Sequence, residues 1–348
     1  MKRALIATGV AAATALAAAG CSSSSATTGS GSGAHVVLRL GFQTNVTHAP
    51  ALIGIAKGYF AKSLGKNVKL EVKPFSTGTE EGTALLAGQL DAAYVGPNPT
   101  IKAWQTSGGK LIKVISGAAS GGAALVVNKS ISSPAQLNGK KVATPSLGNT
   151  QDVALRYWLK QQHLASTQTG AGDVPVTPIT PNSAAVLQFK SGQIAGGWEP
   201  APYDIEMVQE GGHMLVNEAS LWPKGQFVTT NLVVTQKFLA AHPSLVTGLL
   251  KGQIEANNYI HSNPSGAGAA ANKELTTLLG NGLDPSVLSA SFKAITFTND
   301  PIASSLATDA QHAVSVGLLT PVQNISALYD LGPLKALLKA GGQPEVSS

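Results

Sequence analysis

Two stretches about 104 positions apart are written alike. Gly88-Gln89-Leu90 leads through Ala92-Ala93-Tyr94 to Pro97-Asn98-Pro99, and Gly192-Gln193-Ile194 leads through Gly196-Gly197-Trp198 to Pro200-Ala201-Pro202. Each reads as a helix stop at glycine, a short buried strand and a proline-rich loop. A chain of 348 residues that repeats this order has length for two similarly built lobes.

The surrounding pattern alternates strand and helix. Val36 to Leu40, Val68 to Val72 and Leu90 to Val95 read as strands. Ala51 to Phe60, with Pro50 in its first turn, and Thr79 to Ala87, with Glu80 and Glu81 in its first turn, read as helices. Asn98 is the expected N-cap of a further helix, with Pro99 at its first position. A second unit offers strands at Ala123 to Val127 and Val142 to Thr144, and helices from Thr150 to Gln161 and Ser183 to Phe189. Phe227 to Val234 returns as a strand, and helices follow at Pro243 to Ile260, Lys273 to Leu279, Pro285 to Ala294, Ala303 to Leu319 and Leu334 to Lys339. The alternation predicts α/β layers with largely parallel sheets. It also predicts a first lobe from 35–122 plus 231–348, with a second lobe, 123–230, inserted between the two segments.

The one cysteine, Cys21, excludes an intrachain disulfide and any cysteine-based metal or nucleophile site. Met1-Lys2-Arg3 followed by the alanine-rich run to Ala19 is an export signal, expected to end at residue 20. Ala18-Ala19-Gly20-Cys21 is similar to the processing site of bacterial lipoproteins, departing from it at Ala18, where leucine is usual. That similarity implies a lipidated Cys21 and a membrane tether, with 21–34 as a Ser/Gly linker of coil composition. The net charge of +6 falls to +4 once Lys2 and Arg3 are removed, and the basic residues are dispersed. Clustering is what a nucleic-acid footprint needs, so that class is excluded.

Residues along the chain carry a resemblance. Leu40-Gly41-Phe42, Ala49-Pro50-Ala51, Lys57-Gly58-Tyr59-Phe60, Ala84 to Asp91, Gly96 to Pro99, Leu137 to Ala143 and Phe227 to Asn231 resemble the periplasmic binding proteins for sulfonates, taurine, nitrate and thiamine precursors. The resemblance spans roughly residues 36 to 335. It implies a type II periplasmic-binding-protein fold: two α/β lobes joined by a two-strand hinge, with C-terminal helices. It also implies a monomeric, non-enzymatic solute-binding component of an ABC importer, working with a permease and its ATPase and needing no cofactor or metal. The expected ligand is a small organic anion, an alkanesulfonate or taurine-like compound; a thiamine-pyrimidine precursor, riboflavin or nitrate are the alternatives. Asn45-Val46-Thr47-His48 is similar to a run in pyrimidine-binding members, some of whose relatives are enzymes, but those need a cysteine-rich iron site that this chain lacks.

Helix N-termini carry unpaired N–H groups and partial positive charge, so they bind anions without arginine. Four predicted strand-to-helix loops offer them: Gln43, Thr44, Asn45 and His48; Thr77, Gly78 and Thr79; Pro97 and Asn98; Ser146, Gly148, Asn149, Thr150 and Gln151. Ser120 and Gly121 lie beside the first crossover, where glycine admits close backbone approach. Trp198 is expected to face the cleft and pack an organic group, and Glu199 beside it would favour a ligand bearing a donor.

Overall fold

The computed structural model describes residues 36–347; the signal and linker assigned to residues 1–34 lie outside the described residues. Among the described residues eleven strands form two sheets. They are β1 (Val36–Gln43), β2 (Val68–Phe75), β3 (Ala92–Val95), β4 (Ile112–Gly121), β5 (Ala123–Asn128), β6 (Val142–Thr144), β7 (Val176–Pro178), β8 (Gly196–Pro200), β9 (Gly212–Asn217), β10 (Val228–Thr235) and β11 (Ile295–Phe297). The first sheet has the order β11-β4-β10-β3-β1-β2 and the second β7-β6-β8-β5-β9, one per lobe.

Both sheets are mixed rather than largely parallel. In the first, β1 runs parallel to β2 and β3, whereas β10 is antiparallel to β3 and β4, and β11 to β4. In the second, β5 is antiparallel to β8 and β9, while β6 runs parallel to β7 and β8. The reversals are where the chain crosses between sheets. Strand β4 runs into β5 through Gly121 and Gly122, both at positive φ (80° and 72°), a backbone that only glycine adopts without strain.

Among the described residues thirteen α-helices cover the sheets: α1 (Ala49–Ala56), α2 (Tyr59–Leu64), α3 (Gly78–Leu86), α4 (Pro97–Thr106), α5 (Thr150–Gln161), α6 (Asn182–Lys190), α7 (Tyr203–Gln209), α8 (Gln236–Ala241), α9 (Pro243–Ser262), α10 (Pro264–Leu279), α11 (Pro285–Ala294), α12 (Ala303–Ser315) and α13 (Gly332–Ala340). The helix expected over 51–60 is two, because Gly58 takes a left-handed conformation (φ 69°) and interrupts the ladder. The expected cap at Asn98 is also corrected. Helix α4 starts two residues earlier, with extended Gly96 as its cap and Pro97 in the first turn, so Asn98 is inside the helix and buried.

The core splits by sheet face. Leu38, Leu40, Phe42, Leu232 and Val234 pack under α1, α2, α9 and α10, while Val95, Ala103, Trp104, Val233 and Leu306 pack on the other face under α4 and α12. In the second lobe the pleat of β8 divides two neighbours. Trp198 enters the cluster of Leu125, Val127, Trp158 and Val216, and Glu199 points to the face of Ala124, Val126 and Met207. Among the described residues no helix is long and apolar enough to cross a membrane.

Candidate functional site

The C-terminal ends of β1 and β3 in the first sheet meet the start of α5 from the second lobe, and a polar cavity of about 20 Å³ lies between them. Of the sequence candidates, Gln43, Asn45, His48, Gly78, Asn149, Thr150 and Gln151 line it. Thr47, Gly96, Pro99, Pro200 and Thr229 line it too.

The capping side chains are largely occupied by the helices they start. Asn45 Oδ1 accepts from the Thr47 N–H, Thr77 Oγ1 from the Glu80 N–H, and Asn149 Oδ1 from the Asp152 N–H. The next N–H groups, of Glu81 and Val153, go to the carbonyls of Thr77 and Asn149. What remains for a ligand is the backbone N–H of Gly78 and Thr79 at the start of α3, and of Thr150 and Gln151 at the start of α5. Helix α4 contributes less than expected. Pro97 and Pro99 have no N–H, and Thr100 donates to Gly96 O, leaving only Asn98. Two helix starts, one from each lobe, therefore offer donors and positive dipole ends to the same space.

His48 adds a further donor. Its Nδ1 accepts from the Gln43 N–H at 3.1 Å, which fixes the neutral tautomer with the proton on Nε2. Burial pushes its pKa down to about 3, so the ring is neutral at ordinary pH. Gln43 is held from behind by Glu81, which accepts its amide N–H at 2.9 Å. Glu81 is fully buried beside an exposed Glu80, and desolvation holds its carboxyl well above the usual range. Among the described residues no arginine lines the cavity.

Thr79, Asn98 and Gly148 line a second, outer chamber of about 420 Å³ instead. The buried Asn98 donates weakly to Asp309 O at 3.4 Å, and its Oδ1 has no partner. Thr79 Oγ1 and Ser146 Oγ are 2.8 Å apart and link the two lobes across the cleft. The closure is repeated farther out, where Lys160 Nζ donates to Ser315 O and Gln168 Nε2 to Gly317 O, both at 2.7 Å, and Tyr157 stacks on His312 at 3.6 Å.

The remaining sequence candidates lie elsewhere. Trp198, expected in the cleft, is fully buried in the second lobe's core and donates its indole N–H to Glu218 at 2.7 Å. Glu199 is buried as well, accepting from Asn182 at 3.0 Å, and lines neither space. Ser120 and Gly121 hold the crossover, accepting from the Phe227 N–H and from Thr229 Oγ1. Thr44 meets the second lobe through its carbonyl, 3.5 Å from the Tyr203 hydroxyl. Thr77 is a cap, and Pro97 starts its helix without lining either space.

A closed cleft at Gly96 is sterically tight. A Cβ there would stand 2.6 Å from Thr150 Oγ1 across the interface, although the backbone (φ −66°) accepts alanine without strain. Gly96→Ala is expected to favour the open form, raising the radius of gyration in small-angle scattering. An unchanged radius would mean that Thr150 simply turns aside.

Buried ionisable groups set an unusual pH dependence. Desolvation raises Glu218, Asp204 and Glu206 to about 7, and Glu199 and Asp309 well above the usual carboxylate range. It lowers His48 to about 3 and His312 to about 4. An acid whose folded pKa is raised stabilises the fold below its unfolded pKa, and that contribution is lost as pH rises through about 7. A histidine whose folded pKa is lowered acts oppositely, losing stability as pH falls below about 6.5. The carboxyls outnumber the histidines, so the urea midpoint is expected to be higher at pH 5 than at pH 8, and a lower midpoint at pH 5 would contradict this balance.

Comparison with known proteins agrees with the geometry. The model of the NMT1-like family matches residues 33–276. The taurine-binding periplasmic protein of Escherichia coli strain K12 is 26% identical over 234 residues, covering 66% of this chain and 68% of that protein. Among solved structures, the alkanesulfonate-binding protein SsuA from Xanthomonas axonopodis pv. citri, bound to MOPS, superposes with a TM-score of 0.70 at 17% identity, covering 85% of this chain and 99% of its own. The periplasmic nitrate-binding protein NrtA from Synechocystis PCC 6803 does so with a TM-score of 0.72 at 15% identity, covering 89% and 91%. The chain has the fold of these binding proteins.

Proposed function

Given that the chain belongs to the NMT1-like family, we propose that it is the extracytoplasmic solute-binding component of an ABC importer, taking a small organic anion of the alkanesulfonate or taurine type between its lobes. The observation that carries this reading is the pair of facing helix starts, at Gly78 and at Thr150-Gln151, that line the polar cavity with His48 beside them. Each such dipole contact is worth about 0.3–1 kcal/mol, and about 2 when partly buried. Several together hold one anionic group without a cationic side chain.

The site supports binding rather than chemistry. His48 is neutral with one nitrogen already occupied, and no nucleophile or metal cluster faces it among the described residues. Lobes formed by 35–122 plus 231–348 and by 123–230 close by bending at the crossovers beside Gly121 and Phe227, a population shift driven by contacts from both. In this reading the protein is a monomer held at the membrane by lipid on Cys21, and it delivers its ligand to a permease and ATPase.

Calorimetry of the purified protein with taurine, ethanesulfonate, nitrate, riboflavin and a thiamine-type pyrimidine tests the ligand class. Heat with the sulfonates, weakened by Thr150→Pro, which removes one of the offered N–H groups at a position where proline suits the helix, is the expected result. Heat with the pyrimidine alone would overturn the sulfonate assignment.

A further inference from the structure

An acid stands directly behind one of the helix starts proposed to meet an anion. Glu81, one turn on from Gly78 in α3, is fully buried, and its Oε1 has no hydrogen-bond partner among the described residues. Its Oε2 accepts from Gln43 Nε2 at 2.9 Å. That nitrogen lies 3.3 Å from where a Cβ on Gly78 would stand, and the Gln43 backbone N–H holds His48 through Nδ1. Through one side chain, Glu81 thus fixes Gln43, and with it the pairing to His48, both of which line the polar cavity. All these groups belong to the first lobe, on β1, the turn before α1, and α3. The arrangement therefore does not depend on how far the lobes have closed. The closed cavity, about 20 Å³, fits roughly one water molecule, so an anion meets these groups while the lobes are apart.

Charge decides what this lobe can hold. Among the described residues no lysine or arginine lines the cavity, and His48 is neutral. The elements packed against α3 bring no free cation to Glu81. On β1, Arg39 is paired with Asp91, four residues back from Gln43. On β2, Lys69 pairs with Glu71, and Lys73 acts on that same carboxylate. Tyr94 of β3 points to the opposite face of the sheet, where it bonds Gln253, and Lys102 of α4 is exposed on the wall of the outer chamber. Across the cleft, Asp152 of α5 is paired with Arg156. The charge that acts on Glu81 is Glu80, exposed and of the same sign. An ionised Glu81 and a bound anion would share the positive end of α3 with no cation between them. In the acid form the carboxyl leaves that end to the ligand and still accepts the Gln43 N–H.

We propose that Glu81 is a positioning residue whose proton admits the anion, so that the ligand is captured with Glu81 in the acid form and affinity is lost as the carboxyl ionises. The inference rests on the proposed anion site and adds to it that capture is coupled to proton uptake. Burial raises the Glu81 pKa well above the usual carboxylate range, so the acid form persists at ordinary pH and the loss comes on the alkaline side.

Calorimetry of the full chain with ethanesulfonate, which has no titrating proton of its own between about pH 5 and about pH 9, tests the coupling. Buffers of different ionisation enthalpy give the number of protons taken up alongside the affinity. Wild-type affinity is expected to be constant at the acid end and then to fall by up to about tenfold per pH unit, at least about tenfold in all, while proton uptake rises from none towards one. In Glu81→Gln, which keeps an acceptor for Gln43 and cannot ionise, affinity is expected to stay at the wild-type acid value with no proton uptake. Glu81→Met is expected to be flat as well but weaker throughout, since Gln43 is no longer held. Circular dichroism checks that each variant is folded, and the wild-type proton count needs neither. A wild type that binds ethanesulfonate with flat affinity and no proton uptake overturns the coupling and leaves the anion site standing. The same slope and proton count in folded Glu81→Gln as in the wild type also overturns it, because another acid would then be responsible. If neither protein binds ethanesulfonate at any pH, the anion reading fails and the coupling with it.

Discussion

Trp198→Ala is expected to lower folding stability by about 3–5 kcal/mol, the range for truncating a large aromatic in a core. The side chain is fully buried, stands edge-on to Trp158 at 6.1 Å, and packs among Leu125, Val127 and Val216. Truncation removes more than packing. The indole N–H bonds Glu218 at 2.7 Å, and the other Glu218 oxygen is already without a partner. Trp198→Phe separates the two effects, since it keeps most of the volume and takes the indole donor away from the carboxyl, at about 1–3 kcal/mol for an unsatisfied buried group. Urea unfolding followed by circular dichroism measures both variants. The outcome that returns Trp198 to the ligand site is an alanine variant with the wild-type midpoint and no sulfonate binding.

That residue also shows where sequence reading stops. The echo around Gly196-Gly197-Trp198 identified the strand, and β8 is there. Which way each side chain points is a matter of pleat parity, which one residue of register reverses. Trp198 and Glu199 both went into the second lobe's interior, on opposite faces, and only Pro200 at the strand end reached the cavity. The start of α4 failed for a different reason. Proline is welcome in a first helical turn, and Pro97 and Pro99 both satisfied that rule, so the sequence could not choose between them. The choice changes the site, since it decides that Asn98 is a buried helical residue and Gly96 the one facing Thr150.

Much of the site was nonetheless legible, because caps are local. The loops that hold Asn45, Thr77 and Asn149 read as helix N-termini, and each of these three side chains accepts an N–H of the turn it starts. Glu81 was legible only as a first-turn acid. Its burial behind Gln43, with Glu80 exposed, follows from the rotation of α3 against α4 and the sheet, a long-range fact. Strand direction was illegible likewise. Apolar runs such as Phe227 to Val234 look the same parallel or antiparallel, and it is the return of the chain between lobes that makes β10 antiparallel to β3.

Asp152→Ala is expected to cost about 3–5 kcal/mol, because it leaves a buried guanidinium without its partner. Asp152 and Arg156, one turn apart on α5, are 0% and 2% exposed at their side chains and meet at 2.9 Å. The carboxylate makes two further contacts and the Asp152 backbone a third. It accepts from Thr144 Oγ1 at the end of β6 and from the Gly148 N–H, and its own N–H is capped by Asn149. Strand end, loop and helix start are thus tied to one side chain, and that loop carries Gly148, Asn149 and Thr150 to the cleft. Asp152→Asn keeps the shape but loses the charge, so it should fall between wild type and alanine. Replacing the pair together, Asp152→Ala with Arg156→Leu, removes the unpaired charge and should recover part of the loss, while sulfonate affinity stays reduced because the Gly148 loop is no longer held. Urea midpoints for the single and double variants, with calorimetry on the folded ones, give both readings. An Asp152→Ala midpoint within about 1 kcal/mol of wild type, the median scale of an exposed pair, would show that the ion pair is not what anchors the loop.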